Sequence, residues 1–268
     1  MSSIEPFNLF AIRYAHHPRR SASENFIGAD PHEEGSPLDY FVWVAQRSDR
    51  VFVVDTGFGE EAARQRQRQL LRLPRDGVKA LDIDPAMVED VIITHLHYDH
   101  AGTLDAFPRA RFHLQDKEMA FATGRCMCHA AMRQAFIVDD ITAMVRHLFA
   151  GRVAFHDGDE VLCDGLSVHG IGGHTMGIQC VRVWTRRGWV VLASDTSHLY
   201  ANMEAGRPFP IVYNVADMLE GHKRLHQLAA SPHHIIPGHD PLVMRRYGAP
   251  GRGLEGVAVR LDAEPAGA

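Results

Sequence analysis

Three histidines and an aspartate crowd into six residues, His95-Leu96-His97-Tyr98-Asp99-His100, directly after the apolar run Val91–Thr94. That run predicts a short buried strand. In an extended chain residues two apart project to the same side, so His95 and His97 can bind one metal together. Asp99 and His100 lie just beyond, where the chain should turn into a helix near Ala101-Gly102. From there they can turn towards a second metal. So dense a group of His and Asp is hard to explain as packing.

Other apolar runs deliver single polar groups into loops. Leu166–Gly170 is followed by Gly173-His174-Thr175, Val190–Ala193 by Asp195, and Ile235-Ile236 by Gly238-His239. Each alone reads as a loop residue; together they add N and O ligands for a two-metal site. The composition agrees: the chain has 18 histidines but only 4 cysteines, which favours imidazole over thiolate as the ligand. Cys126, Cys128, Cys163 and Cys180 form no paired zinc-finger spacing and read as free thiols in a reducing compartment.

Around this motif the chain reads as one domain over residues 1–268. Residues 13–37 are polar and rich in Pro and Gly, which predicts an irregular N-terminal arm covering the site or a partner subunit in a homodimer. Tyr40–Ala45 and Val51–Val54 predict a hairpin. Glu60–Leu73 predicts an exposed helix whose Arg64, Arg66, Arg68 and Arg72 form a solvated face. Residues 115–150 read as a helical insert broken at Thr123-Gly124. Short strands follow, then a helix over Ala216–Ala229 and a tail over 248–268. The net charge of −5 gives no general attraction to nucleic acid, and no apolar run approaches the ~20 residues that span a bilayer. A soluble, cytoplasmic protein with a small-molecule substrate is expected.

His95-x-His97-x-Asp99-His100, Gly173-His174-Thr175, Asp195 and Gly238-His239 together resemble the metallo-β-lactamase-fold superfamily, in the family's order. Asp55-Thr56-Gly57 is similar to the D-T-G that the family carries on the strand before the metal motif. The resemblance implies an α+β fold, a four-layer αββα sandwich of two mixed β-sheets with helices outside. It implies that His95, His97 and His174 hold a first metal, that Asp99, His100 and His239 hold a second, and that Asp195 bridges them. Asp55 would steady the metal loop from behind. Zinc is the first choice of ion, with Mn, Fe or Co also compatible.

The function this implies is a dinuclear metal-dependent hydrolase, in which a metal-bridging hydroxide attacks the carbonyl of a lactone or a similar cyclic or acyl ester. Asp99 would also shuttle a proton to the leaving group. The pattern most resembles N-acyl homoserine lactonases and related lactone hydrolases. It departs from them twice. His198 stands where those enzymes carry a tyrosine that holds the substrate carbonyl, with Tyr200 two residues on. Ile178 stands where G-H-x-x-G-H would place its last histidine. His198 is then either a replacement donor or a plain loop residue. The alternatives on the same fold are a glyoxalase II-like thioesterase and a mononuclear iron dioxygenase of the persulfide type. Among the remaining histidines, His16, His17 and His32 fall in the arm, while His129, His222 and His226 read as helix-surface groups.

Overall fold

The computed structural model describes residues 4–266. Strands β1 (Asn8–His17), β2 (Leu38–Arg47), β3 (Arg50–Val54), β4 (Gln69–Leu70), β5 (Asp90–Ile92), β6 (Arg111–Gln115) and β7 (Val153–His156) belong to one sheet. Strands β8 (Glu160–Cys163), β9 (Leu166–Gly170), β10 (Gln179–Thr185), β11 (Gly188–Ser194) and β12 (Ile235–Pro237) make the second. β13 (Ala258–Arg260) returns to the first sheet beside β1. The helices are α1 (Ala22–Asn25), α2 (Glu60–Gln65), α3 (Pro74–Lys79), α4 (Tyr98–Ala101), α5 (Asp116–Thr123), α6 (Ala130–Arg133), α7 (Val138–Phe149), α8 (Tyr200–Glu204), α9 (Val215–Leu228) and α10 (Leu242–Arg246). None is long and apolar enough to cross a membrane.

The period of two along a strand sorts β2 between two cores. Phe41, Trp43 and Ala45 pack with Val168, Val181 and Val190 of the second sheet. Tyr40, Val42 and Val44 face the other way, towards Phe58 and towards Met144 of α7. Both sheets are mixed. β3, β5, β6 and β7 pair in parallel, as do β11 and β12, while the remaining pairs are antiparallel. These parallel strands expose carboxyl ends at one edge of the sandwich, and that edge carries the polar residues singled out above. The layers are those of the αββα sandwich.

Two segments differ from expectation. The polar arm does not begin at Arg13, because Arg13–His17 continue β1, with Ala15 opposite Tyr40 and His17 opposite Leu38. Leu9 to Ile12 and Tyr14-Ala15 are buried, and the strand was disguised by its polar end, His16-His17. The expected tail likewise contributes β13, with Ala258 and Val259 buried against β1. The helix expected over Glu60–Leu73 stops at Gln65. Gln67 adopts a left-handed φ of 54°, and Arg68 N and Gln67 N donate to the carbonyls of Ala63 and Arg64, closing a Schellman cap without glycine.

Candidate metal centre

The site starts from the turn after β5. Asp55, just past β3, lies in the left-handed region at φ 62° and is fully buried. Such a conformation costs an aspartate about 1–3 kcal/mol and persists where its surroundings fix it. Here Thr94 N and Thr94 Oγ1 donate to the Asp55 carboxylate at 2.7 and 2.8 Å, and His100 Nδ1 donates to it at 2.7 Å. One carboxylate thus ties the start of the histidine loop to its end. α4 follows at once and sets Asp99 and His100 in its first turn, where the Tyr14 hydroxyl donates to the Asp99 carbonyl at 2.8 Å.

The second sheet supplies the rest. A Cβ on Gly173 would sit 2.5 Å from the Met218 amide nitrogen, so only glycine lets the His174 loop lie against α9. A Cβ on Gly238 would meet Asp195 Oδ1 at 2.7 Å, so glycine also permits the strand end carrying His239 to close on Asp195.

All seven proposed ligands converge, and all are buried. His174 Nε2 is 3.2 Å from His95 Nε2 and 2.9 Å from His97 Nδ1. Ligands about 2.05 Å from a tetrahedral ion stand about 3.4 Å apart, so these spacings are close to those of a metal site. Asp195 Oδ2 is 3.3 Å from His174 Nε2 and 3.9 Å from His95 Nε2. Its other oxygen, Oδ1, is 2.9 Å from His239 Nε2 and 3.3 Å from His100 Nε2. Asp99 Oδ2 stands 3.8 Å from the Nε2 atoms of both His100 and His239.

Hydrogen bonds behind the rings fix their tautomers. His174 Nδ1 donates to the Ile211 carbonyl at 2.6 Å, His239 Nδ1 to the Asp39 carbonyl at 2.9 Å, and His100 Nδ1 to Asp55. Each aims its Nε2 inwards, the atom that a metal would take once it carries no proton. Burial, reinforced by neighbouring histidines, holds His95 and His97 well below the usual imidazole range and therefore neutral. Burial also pushes His100 down, but Asp195, Asp55 and Asp99 outweigh it and hold the ring well above its ordinary value. The carboxylates here call for a positive charge. His100 Nε2 and Asp195 Oδ1 are buried without a hydrogen-bond partner, and the donor set of imidazole and carboxylate suits a divalent ion.

Several residues stand elsewhere than expected. His198 is buried; its Nε2 lies 2.9 Å from Asp195 Oδ2, and its ring stacks on Phe209 at 3.4 Å. Tyr200 packs in the core under Arg246 and does not line the cavity. His222 is no surface group: it is buried, with Nε2 donating to the Thr196 carbonyl beside Asp195. His16 bonds Asp39 at 2.6 Å instead of reaching the centre. Arg66 and Arg68 are not simply solvated, since both line the cavity above the cluster. Sequence reasoning missed Glu118, a fully buried carboxylate that accepts from Leu96 N at 2.8 Å, Thr175 Oγ1 at 2.5 Å and Gly177 N at 3.1 Å. It joins the two histidine loops, and no motif marks it.

Known proteins share this architecture. A solved quorum-quenching N-acyl homoserine lactone lactonase superposes with a TM-score of 0.74 at 23% identity, over 90% of this chain and 95% of that one. The structure of AidC, a dizinc quorum-quenching lactonase, superposes at 0.66 with 14% identity, over 90% of each chain. The N-acyl homoserine lactonase AttM of Azorhizobium caulinodans is 49% identical over 45 residues, so the match spans only 17% of either protein's length. The family model of the Metallo-beta-lactamase superfamily matches residues 35–249, from the end of the N-terminal arm to just beyond the last of the converging histidines. The chain belongs to the metallo-beta-lactamase superfamily.

Proposed function

We propose that the protein is a dinuclear metal-dependent hydrolase that opens a lactone or a similar cyclic or acyl ester. The observation that carries this reading is Asp195, whose two oxygens face two separate histidine groups within 3.9 Å. In this reading His95, His97 and His174 hold one ion, Asp99, His100 and His239 hold the other, and Asp195 serves both. Zinc suits these ligands, and a solved relative of the same fold is dizinc. Bound divalent ions supply Lewis acidity, which acidifies water and polarises a carbonyl oxygen.

The chain's own residues supply the rest. Asp55, Asp39 and Ile211 orient the imidazoles, and His198 holds Asp195 Oδ2. In this reading that contact makes His198 a positioning residue for Asp195. Asp99 lines the cavity floor, where its carboxylate can pass a proton to the departing alkoxide oxygen.

Metal analysis combined with a hydrolysis screen over lactones, cyclic amides and thioesters tests the proposal. Two ions per chain and acid release from lactones are expected, with kcat lowered about 100-fold or more in Asp99→Ala. Full activity in metal-free protein or in Asp99→Ala would overturn it. One iron per chain with oxygen uptake would replace it with the dioxygenase alternative.

A further inference from the structure

The cavity over the metal cluster holds about 490 Å³, and one of its walls carries three guanidiniums, those of Arg20, Arg66 and Arg68. Among the described residues none of the three is ion-paired. Arg20 donates to the backbone carbonyl of Glu24, and its Nε is buried with no partner. Arg66 donates to the Gln134 carbonyl at 2.7 Å and lies 4.1 Å over the Tyr98 ring. Arg68 donates to the Arg66 carbonyl at 2.6 Å and to the Tyr98 hydroxyl at 3.3 Å. Two carboxylates lie near without neutralising the group. Glu24 is occupied by Ser21 N at 2.7 Å and Ser21 Oγ at 2.9 Å, and Asp140 influences Arg66 only through its field.

Partly burying three cations side by side is unfavourable unless an anion joins them. Their field is felt by His17, which burial and then Arg68 and Arg20 push down to about 4. The left-handed Gln67 between Arg66 and Arg68 sets both on the cavity side, in a conformation that glycine adopts more readily. The wall joins the floor through Tyr98 and Tyr40, whose hydroxyls are 3.4 Å apart and whose neighbours are His97, Asp99 and His239.

We propose that this arginine wall binds a carboxylate carried by the substrate away from its scissile carbonyl. A planar guanidinium meets a carboxylate with paired hydrogen bonds, whereas a neutral acyl chain would leave three cations unanswered. The proposal rests on the hydrolase reading and narrows its substrate to a carboxylated lactone or ester.

The test separates the two ideas. Isothermal titration of the metal-loaded protein compares glutarate with butyrate, which share one carboxylate for the metals; only glutarate carries a second for the wall. Glutarate should bind about tenfold or more tighter. Arg20→Gln, and more strongly Arg20→Gln with Arg68→Gln, should bring the two ligands close to parity. Arg20→Gln lies outside helix and strand and serves should the double variant not fold. In parallel, γ-butyrolactone bearing a ring carboxylate should show a lower KM than the same lactone bearing a carboxamide. Equal binding of glutarate and butyrate by the unmodified protein, or a preference that survives Arg20→Gln undiminished, overturns the carboxylate wall. If glutarate is preferred and neither lactone opens, the wall stands and the lactone reading falls. If both lactones open equally and glutarate is not preferred, the reverse holds.

Discussion

Glu118 shows how a single residue can govern a site it does not enter. Its carboxylate spans two loops, one carrying His95 and His97, the other His174. Burial pushes its pKa up to about 7, opposed by the donors Thr175, Leu96 N and Gly177 N, so the charged form depends on those bonds. Glu118→Ala should leave three donors unsatisfied and let the loops drift. Groups that orient ligands from behind typically contribute 10- to 100-fold in metal affinity, and a loss of about that size is expected on titration against a chromophoric chelator. An unchanged affinity would show that backbone packing alone sets the loops. Sequence reading singled out the residues that converge, but not this support. His95 to His100 announce themselves by density, and Asp195 and His239 by their place after apolar strands. Glu118 is one acidic residue in the first turn of α5, and its burial depends on what packs above it.

At the scale of elements, apolar runs made β2, β3, β9, β11 and β12 legible, because each is buried along most of its length. The elements misread are those whose ends are set by backbone conformation or by distant partners. α2 stops at a cap built on Gln67, so Arg66 and Arg68 leave the solvated face that a continuous helix would give them. His222 and His226 sit one turn apart on α9, yet only His222 faces the Asp195 loop. α7 carries a different tension. Its Asp140 stands in the first turn, which the helix dipole favours, but Oδ2 is buried without a partner. Burial, and then Asp139, raises the Asp140 carboxyl to about 7, with Arg66 opposing. A carboxyl raised on folding contributes stability that is full below its unfolded value of 3.8 and is lost as pH rises through about 7. Asp140→Asn cannot ionise. The variant and the unmodified protein should melt together near pH 4, and the variant should melt higher near pH 8.5, by about 4 °C or more. A difference independent of pH would mean that the Asp140 carboxyl is solvated or paired.

For the whole molecule, the division of the proposed ligands between sheets matters more than their number. His95, His97, Asp99 and His100 follow β5 of the first sheet; His174, Asp195 and His239 follow β9, β11 and β12 of the second. The inter-sheet core of Trp43, Phe41 and their partners joins the layers along their length, but at the functional edge the contacts are imidazole and carboxylate. Without a cation that edge buries Asp195 beside His95, His97, His174 and His198, whose pKa values burial pushes down, and beside His100, which the aspartates hold up. Ions bound there would fasten sheet to sheet and offset the desolvation of both aspartates. Ligands that bind only the native state raise its stability by RT ln(1 + [L]/Kd), about 4 kcal/mol when the ligand is at a thousand times Kd. Chelation should therefore lower the melting temperature by about 8 °C or more, at about 2 °C or more per kcal/mol for a chain of this size. The loss should not be uniform. Hydrogen exchange should quicken first in the loops around His95–His100, Gly173-His174 and Gly238-His239, while β2, β10 and β11 stay protected, because the apolar core survives metal loss. A melting temperature indifferent to chelation, in protein shown to have lost its ions, would mean that the apolar core alone holds the two sheets together.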